Sequence, residues 1–277
     1  MAREKHDNPQ GLLHRTESEK LFHLSRYVPD EPLDVFLEHY WIVRWDLSDR
    51  EPYVQENLPH PSVHMVFEPG ASNIYGVVTG KFTRRLVGKG KVLGIKFRPG
   101  GFRAFLRAPV ASITNRIIPI ESVFSVDAHA LEARVLSCDE DDDMIAAAAA
   151  AVFATGLPDR DEDARLAERV VAMVQEDRRI LTVEQLARRA GLGKRALQRL
   201  FNEYVGVSPK WVIARCRLFE AADALTEGRQ RDLARVAIDL GYYDQAHFSR
   251  DFKRIVGFPP AEYARSARNG NVTDRAG

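Results

Sequence analysis

Cysteine is nearly absent from this chain: there are two in 277 residues, Cys138 and Cys216. They lie far apart without ligand-like neighbours, which argues against a disulfide framework and a cysteine zinc site and suggests a reducing compartment. A long apolar run is missing too. The longest, Met144 to Ala154, is too short and too alanine-rich to span a bilayer. The opening residues, Met1 to His6, are polar and lack the apolar core of a secretory signal. No membrane partner is expected, and the cytoplasm is the expected compartment. Nor is there an excess of either charge, the formal net charge being +1. With 45% hydrophobic and 29% charged residues the composition is that of an ordinary globular chain, and its length allows one or two domains.

The even balance of charge hides a division. Residues 178–268 hold 18 Lys/Arg against 10 Asp/Glu, a net +8, whereas residues 1–177 hold 21 against 28, a net −7. Basic charge gathered on one domain is the electrostatic footprint of phosphate binding. The same basic third carries one pattern twice. The first copy holds Ala187, Gly191, Leu197, Arg199 and Phe201; the second holds Ala237, Gly241, Phe248, Arg250 and Phe252. In each, a short helix pattern sets an alanine four residues before a glycine, and a second helix carries apolar–x–Arg–x–Phe. This is the outline of a helix-turn-helix, in which the first helix and the turn hold the second helix against the major groove of DNA. Two copies suggest a monomeric unit that grips two neighbouring groove segments.

Residues 1–20 are polar and aperiodic and are expected to form a mobile arm. Residues 21–155 read as a sensory or dimerisation domain. Short β-branched or aromatic runs, Tyr40–Val43, Val63–Phe67, Ile74–Val78 and Val92–Phe97, alternate with Pro69-Gly70, Gly88-Lys89-Gly90 and Pro99-Gly100-Gly101 turns. That texture predicts a small barrel or sandwich. Helices at Leu131–Val135 and after the acidic run Asp139–Asp143 should close it. The acidic run complements a helix macrodipole, and without a turn glycine or loop spacing it is not a calcium site. Residues 156–162 read as a linker, 163–266 as a DNA-binding domain and 267–277 as a disordered tail. The predicted fold class is α+β in two domains: a strand-rich N-terminal barrel and an all-α C-terminal domain with two helix-turn-helix units.

Within that second domain, Thr182 and Gln185 form a capping box for a helix reaching Ala190. Gly191-Leu192-Gly193 makes the turn, and Lys194 to about Tyr204 forms the next helix. Trp211–Leu225 joins the two units and Gly228 stops it. Asp232 and Asp244 are N-caps for Leu233–Leu240 and Gln245–Val256, and a short helix follows near Tyr263. Helical spacing turns Leu197, Leu200, Phe201 and Tyr204 inward in the first recognition helix, and Phe248, Phe252 and Ile255 inward in the second. Lys194, Arg195, Gln198 and Arg199 are left outside on one; Gln245, Ala246, His247, Ser249, Arg250 and Lys253 on the other. Arginine matches guanine and glutamine matches adenine in the major groove, while lysines and the remaining arginines suit phosphates. Carboxylate partners are the alternative for Arg199 and Arg250, a plain surface role for Gln198, and packing beside Tyr243 for His247. Arg215 and Arg217 fall on the joining helix and should tie the modules together.

The motifs Leu186-Ala187, Ala190-Gly191, Leu197-Gln198-Arg199-Leu200-Phe201, Gly206 and Ser208-Pro209 continue into Arg217-Leu218, Ala221 and Val236-Ala237. Gly241-Tyr242, Asp244, His247 to Lys253, Gly257 and Pro260 complete the set. The segment from Leu181 to Tyr263 thereby resembles the DNA-binding domain of AraC/XylS-type transcriptional regulators. The resemblance implies seven helices, with two helix-turn-helix units held by a rigid linker helix. The segment departs from the family at Gly193, where a serine cap is usual, at Ala196, where a hydroxyl is usual, and at Pro259, where a polar or small residue is usual. Phe97 to Phe102 and the strand-rich texture are similar to the divergent cupin-like sensory domains fused to such regulators.

His60 and His64 invite a cupin metal site. On an extended strand residues four apart are separated by roughly 13 Å, and no cluster of histidines with a glutamate is visible, so neither metal nor cofactor is expected. Tyr40, Trp41, Tyr75, Phe97 and Phe102 either line a small-molecule pocket or fill the core. The expected function is sequence-specific, effector-responsive regulation of transcription on the nucleoid. The expected partners are double-stranded promoter DNA, RNA polymerase, a small-molecule effector and a second copy of the chain. Catalysis is not expected. A DNA-repair methyl acceptor would need a reactive thiol, and acidic neighbours make Cys138 a poor one. A non-DNA-binding adaptor would not need the arginines on both recognition helices. Salt-dependent DNA binding separates the adaptor from the regulator, and cysteine alkylation by damaged DNA marks the methyl acceptor.

Overall fold

Side-chain alternation gives the main sheet two apolar faces. The computed structural model describes residues 3–4, 21–154, 156–159, 161–226 and 232–269. Its strands are β1 (Arg3–Glu4), β2 (Phe22–Val28), β3 (Leu37–Leu47), β4 (Tyr53–Asn57), β5 (His64–Phe67), β6 (Asn73–Tyr75), β7 (Phe82–Leu86), β8 (Gly88–Phe97) and β9 (Ile117–Ile118). Seven form an antiparallel sheet in the order β1-β2-β3-β8-β5-β6-β9, and β4 pairs with β7 in a separate ribbon. Tyr40, Ile42, Met65, Phe67, Leu93, Ile95 and Phe97 face the core. Trp41, Val43, His64, Val66, Val92 and Lys96 face a cavity roofed by the β4–β7 ribbon. An irregularity in the β3–β8 register between Leu37 and His39 sends Leu37 to the core and His39 to the cavity. Trp41 lies opposite Gly94, where an added Cβ would fall 1.9 Å from the indole, so the glycine makes room for the ring.

Of the barrel or sandwich expected, the structure has two sheets face to face, the open seven-stranded sheet and the β4–β7 ribbon. The β2, β4 and β7 strands went unread in the sequence because their polar positions alternate with few apolar ones. Two residues of the expected arm, Arg3 and Glu4, pair with β2; the rest of 1–20 lies outside the described residues.

The helices α1 (Arg103–Leu106), α2 (Ala128–Ser137) and α3 (Asp141–Val152) cover the core face of the sheet. Asp141, Asp142 and Asp143 occupy the first turn of α3, as the macrodipole favours, but the N-cap Glu140 makes no side-chain cap. Asp141 instead accepts from Tyr27 Oη at 2.7 Å and Arg44 Nη2 at 2.6 Å, pinning α3 to the sheet.

Seven helices follow among the described residues: α4 (Glu162–Glu176), α5 (Val183–Arg189), α6 (Lys194–Leu200), α7 (Pro209–Thr226), α8 (Leu233–Asp239), α9 (Gln245–Val256) and α10 (Pro260–Asn269). Helix α4 starts inside the expected linker, and α10 runs past residue 266; residues 270–277 lie outside the described residues. The Thr182–Gln185 capping box is present. Asp232 accepts from Ala234 N and Arg235 N, and Asp244 from His247 N. The helix from Lys194 runs to Val205 and stops at Gly206 with φ 88°, as expected, but its last turn, Phe201–Val205, is a π turn. Gly228 lies outside the described residues. No helix is long and apolar enough to cross a membrane among the described residues.

The apolar residues divide into two main cores, and the division does not follow the linker. One core runs from the sheet through α4, α5 and α6 to Trp211, Val212, Ile213 and Cys216. The other joins Leu218, Ala221, Ala222 and Leu225 of α7 to α8, α9 and α10. The first helix-turn-helix is therefore fused to the N-terminal domain. Polar contacts reinforce the seam: Gly100 N donates to Tyr204 O at 3.1 Å, Arg98 pairs with Glu168 at 2.9 Å, and Arg103 with Glu203 at 2.6 Å. Gly100 has φ +83°, and a Cβ there would lie 2.6 Å from Ala164 O, so only glycine fits the approach.

Candidate nucleic-acid interface

The twice-written pattern has one structural meaning in both copies. Gly191 and Gly241 take left-handed backbone, φ +67° and +76°. The residue after each glycine folds back, Leu192 N to Ala187 O and Tyr242 N to Ala237 O, each at 2.9 Å. Both alanines are buried, and their small side chains let the two helices of each unit approach. Leu197, Leu200 and Phe201, and Phe248, Phe252 and Ile255, are buried as the spacing predicted. Tyr204 is half-buried and donates to Asp161 Oδ2 at 2.7 Å.

The outward faces are not uniform. Arg195, Gln198 and Arg199 on α6 are exposed, as are Gln245, Ala246, Arg250 and Lys253 on α9. Among the described residues the side chains of Arg195, Gln198, Arg199, Gln245, Arg250 and Lys253 form no hydrogen bond or ion pair, so Arg199 and Arg250 have no carboxylate partner. Three other site residues are engaged or partly covered. Lys194 forms a close ion pair with Glu184 of α5, which holds the Glu184 carboxyl below its usual range. His247 is half-buried, edge-on to Tyr242 at 5.1 Å, with Nε2 3.7 Å from Asp251. The expected neighbour, Tyr243, is instead 95% exposed. Ser249 is half-buried.

Sequence reasoning passed over several exposed groups on the same units. Arg188 and Arg189 end α5 as exposed cations. Tyr243 and Ile238 are large exposed side chains around the second turn. Polarity periodicity gives no reason to single out either kind, since exposed arginines are common and exposed apolar residues break the pattern.

A second site lies in the N-terminal domain, in a cavity of about 490 Å³ between the main sheet and the ribbon. Of the five aromatic residues weighed as pocket or core, Trp41 and Tyr75 line it, whereas Tyr40, Phe97 and Phe102 are core. Glu38, His39, His60 and His64 come together on its wall, a histidine and glutamate grouping invisible in the sequence. The Lys96 ammonium lies 2.9 Å from Glu38 Oε1 and already neutralises that carboxylate. Among the described residues no group of three or more His, Cys, Asp or Glu side chains is arranged to hold a metal ion. Burial, aided by nearby Lys96, pulls His64 down to about 3 and His60 well below 6.5. Burial would raise Glu38, but His39 and Lys96 override it and hold the carboxyl well below its usual range. Burial lowers Lys96 to about 8 against the opposing pull of Glu38.

The joining helix reaches this cavity. Arg217 is 1% exposed and donates to Val174 O at 2.6 Å and Asp177 O at 3.0 Å, locking α7 to the end of α4. Arg215 points the other way: it lines the cavity and donates to Pro59 O at 2.6 Å. Trp211 Nε1 adds a bond to Thr79 O at 3.2 Å. Arg217 thus works inside the helical domain, and Arg215 ties that domain to the sheet.

Two families match separate parts of the chain: a helix-turn-helix domain at residues 186–266 and a domain of unknown function, DUF6597, at residues 25–119. An AraC-like transcription regulator of Streptomyces lividans is 35% identical over 107 residues, 37% of this chain and 35% of that one. The protein described as "Probable transcription factor PqrA" of Proteus vulgaris is 30% identical over 94 residues, 34% of this chain and 74% of that protein. The chain belongs to the AraC-type helix-turn-helix regulators. An uncharacterized HTH-type transcriptional regulator of Haemophilus influenzae is 32% identical over 105 residues, 38% of this chain. The chain spans 35% of the length of the Haemophilus and Streptomyces relatives.

Proposed function

We propose that the chain is an effector-responsive transcription factor that binds promoter DNA through the outward faces of α6 and α9. The observation that carries this reading is the set of unengaged donors on the second helix of each unit, Arg195, Gln198 and Arg199 on one and Gln245, Arg250 and Lys253 on the other, with Arg199 and Arg250 at equivalent places in the repeat. Long polar side chains left without internal partners on the second helix of a helix-turn-helix are suited to base edges and phosphates. The α7 helix holds the units so that they address adjacent major grooves, about 34 Å apart along one face of the duplex. Lys194, His247 and Ser249 belong to the same face but work under constraint, the first exchanging Glu184 for phosphate. The N-terminal domain carries the effector in its cavity. A second copy of the chain and RNA polymerase are the protein partners, the compartment is the cytoplasm, and the chain acts by binding rather than catalysis.

The test is a binding-site selection from random duplex DNA with the full chain, followed by a salt titration on the selected sequence. A selected motif with two half-sites about one turn apart and affinity falling steeply with salt is expected. Absence of any DNA affinity at low salt would overturn the proposal.

A further inference from the structure

Arg215 is a buried cation that forms no ion pair among the described residues; the carboxylate whose field reaches it, Glu38, is already paired with Lys96. It is 5% exposed, its Nε donates to the Pro59 carbonyl, and its guanidinium lies 4.1 Å over the Phe219 ring. Its one other contact is the Cys216 sulfur at 3.9 Å, and no carboxylate pairs with it among the described residues. Burial lowers its pKa. The neighbouring cations differ: Lys96 has Glu38 at 2.9 Å and Arg84 has Glu68 at 2.5 Å. On the cavity wall Lys96 is paired with Glu38 and Arg84 with Glu68, so both described carboxylates that line it are already matched by cations other than Arg215. His60 and His64, with depressed pKa values, are neutral near pH 7. The remaining wall is largely apolar, with Phe22, Leu24, Val43, Phe82 and Leu86 prominent. A buried charge is costly unless an opposite charge and hydrogen bonds meet it. A cavity of about 490 Å³ has the size of a drug-like ligand site.

We propose that this cavity receives a small amphipathic organic anion, its acid group paired with Arg215 and its apolar body held between the main sheet and the β4–β7 ribbon. The anion completes the shell that Pro59 O and Phe219 leave unfinished. Arg215 belongs to α7, the helix that joins the two DNA-binding units, so the ligand touches the sensory domain and the DNA-binding domain at once. The link to DNA rests on the regulator reading above; the binding itself does not.

The test titrates the full chain with two fluorescent probes of similar ring frame, 8-anilinonaphthalene-1-sulfonate and N-phenyl-1-naphthylamine, which lacks the acid group. One sulfonate per chain is expected, bound at least about tenfold more tightly than the neutral amine, a difference of about 1.4 kcal/mol. Arg215→Met keeps the apolar stem and should abolish that preference, and Arg215→Lys should restore part of it. Leu24→Trp fills the cavity from the β2 side, leaves Arg215 in place, and should weaken both probes. Should Arg215→Met not fold, the wild-type preference and Leu24→Trp decide alone. Equal affinity of the two probes for the wild type, a preference undiminished in a folded Arg215→Met, or sulfonate binding indifferent to Leu24→Trp would each overturn the proposal. A gel shift with the selected DNA separates the two readings. Sulfonate binding with these signatures in a chain that never binds DNA supports the anion site and defeats only the regulator reading.

Discussion

Arg195 and Gln198 stand three residues apart on α6, exposed and unengaged, so no described residue competes with DNA for them. Arg195→Ala or Gln198→Ala should each cost about 1–3 kcal/mol in binding and relax preference at one or two base positions. Lys253→Ala, at the far end of α9, should weaken all sequences alike and reduce the salt slope. Binding-site selection with each variant at fixed salt checks this; a changed motif only in Lys253→Ala would reverse the roles. Lys194→Ala should matter less than Arg195→Ala, because the bound state must first break the Glu184 pair, although an exposed pair is worth only about 0–1 kcal/mol. The cavity histidines offer a different test. The unfolded chain takes a proton on His64 near 6.5, whereas the folded site, with Lys96, His39 and Glu38 around it, takes one only near 3. The stability from keeping His64 neutral is thus fully present above pH 6.5 and lost as pH falls below it, by up to about 1.4 kcal/mol per pH unit for that proton. His64→Gln keeps an acceptor for Trp41 Nε1 and removes the titration. Its Tm should fall less than the wild type's between pH 6.5 and 5; superimposable melting profiles would show that His64 titrates normally.

Helix ends explain why the second domain was read more fully than the first. Thr182, Asp232 and Asp244 announce helix starts through local chemistry, and each side chain accepts the backbone N–H it was expected to accept. Asp244→Ala should cost about 1 kcal/mol of stability and fray the start of α9, where Gln245 sits. Chemical denaturation and DNA binding together check this, since a cap whose loss changes neither is idle. The π turn after Leu200 has no such local signature. It is where Val205 and Val207 enter the core shared with the sheet, and a residue-by-residue pattern does not register a distant partner. The cavity was unreadable for the same reason: its wall takes residues from β2, β3, β4, β5, β7, β8 and α7. Trp41 and Tyr40, adjacent in sequence, divide between cavity and core because successive strand residues face opposite ways. Arg217 is the α7 counterpart of a cap, satisfying carbonyls at the end of α4. Arg217→Met would remove the guanidinium donor from the buried Val174 O, while Asp177 O keeps Ile180 N, at about 1–3 kcal/mol. A denaturation midpoint unchanged in this variant would show that water replaces the guanidinium.

Over the whole molecule the charge division and the packing division fall in different places. The basic surplus begins at residue 178, but the core of the sheet continues through α4, α5 and α6 into the first half of α7. The second helix-turn-helix has its own core and meets the N-terminal domain lightly, with Leu58 against that core and Lys81 4.7 Å from the Phe258 ring. One helix-turn-helix is therefore built into the N-terminal domain and the other hangs from α7, the helix whose Arg215 lines the cavity. A fragment of residues 161–269 carries the six unengaged donors of α6 and α9, so it should bind the selected DNA with the steep salt dependence of phosphate contacts. It should also be less stable than the full chain, because removal of the sheet uncovers the apolar side of Val205, Val207 and Trp211 and deprives Trp211 of Thr79 O. Parallel thermal melts, sedimentation and gel shifts of fragment and full chain test both halves. A folded fragment with no DNA affinity at low salt would remove the helical domain from recognition. A monomeric fragment melting with the full chain would show that the shared core adds nothing to the first unit.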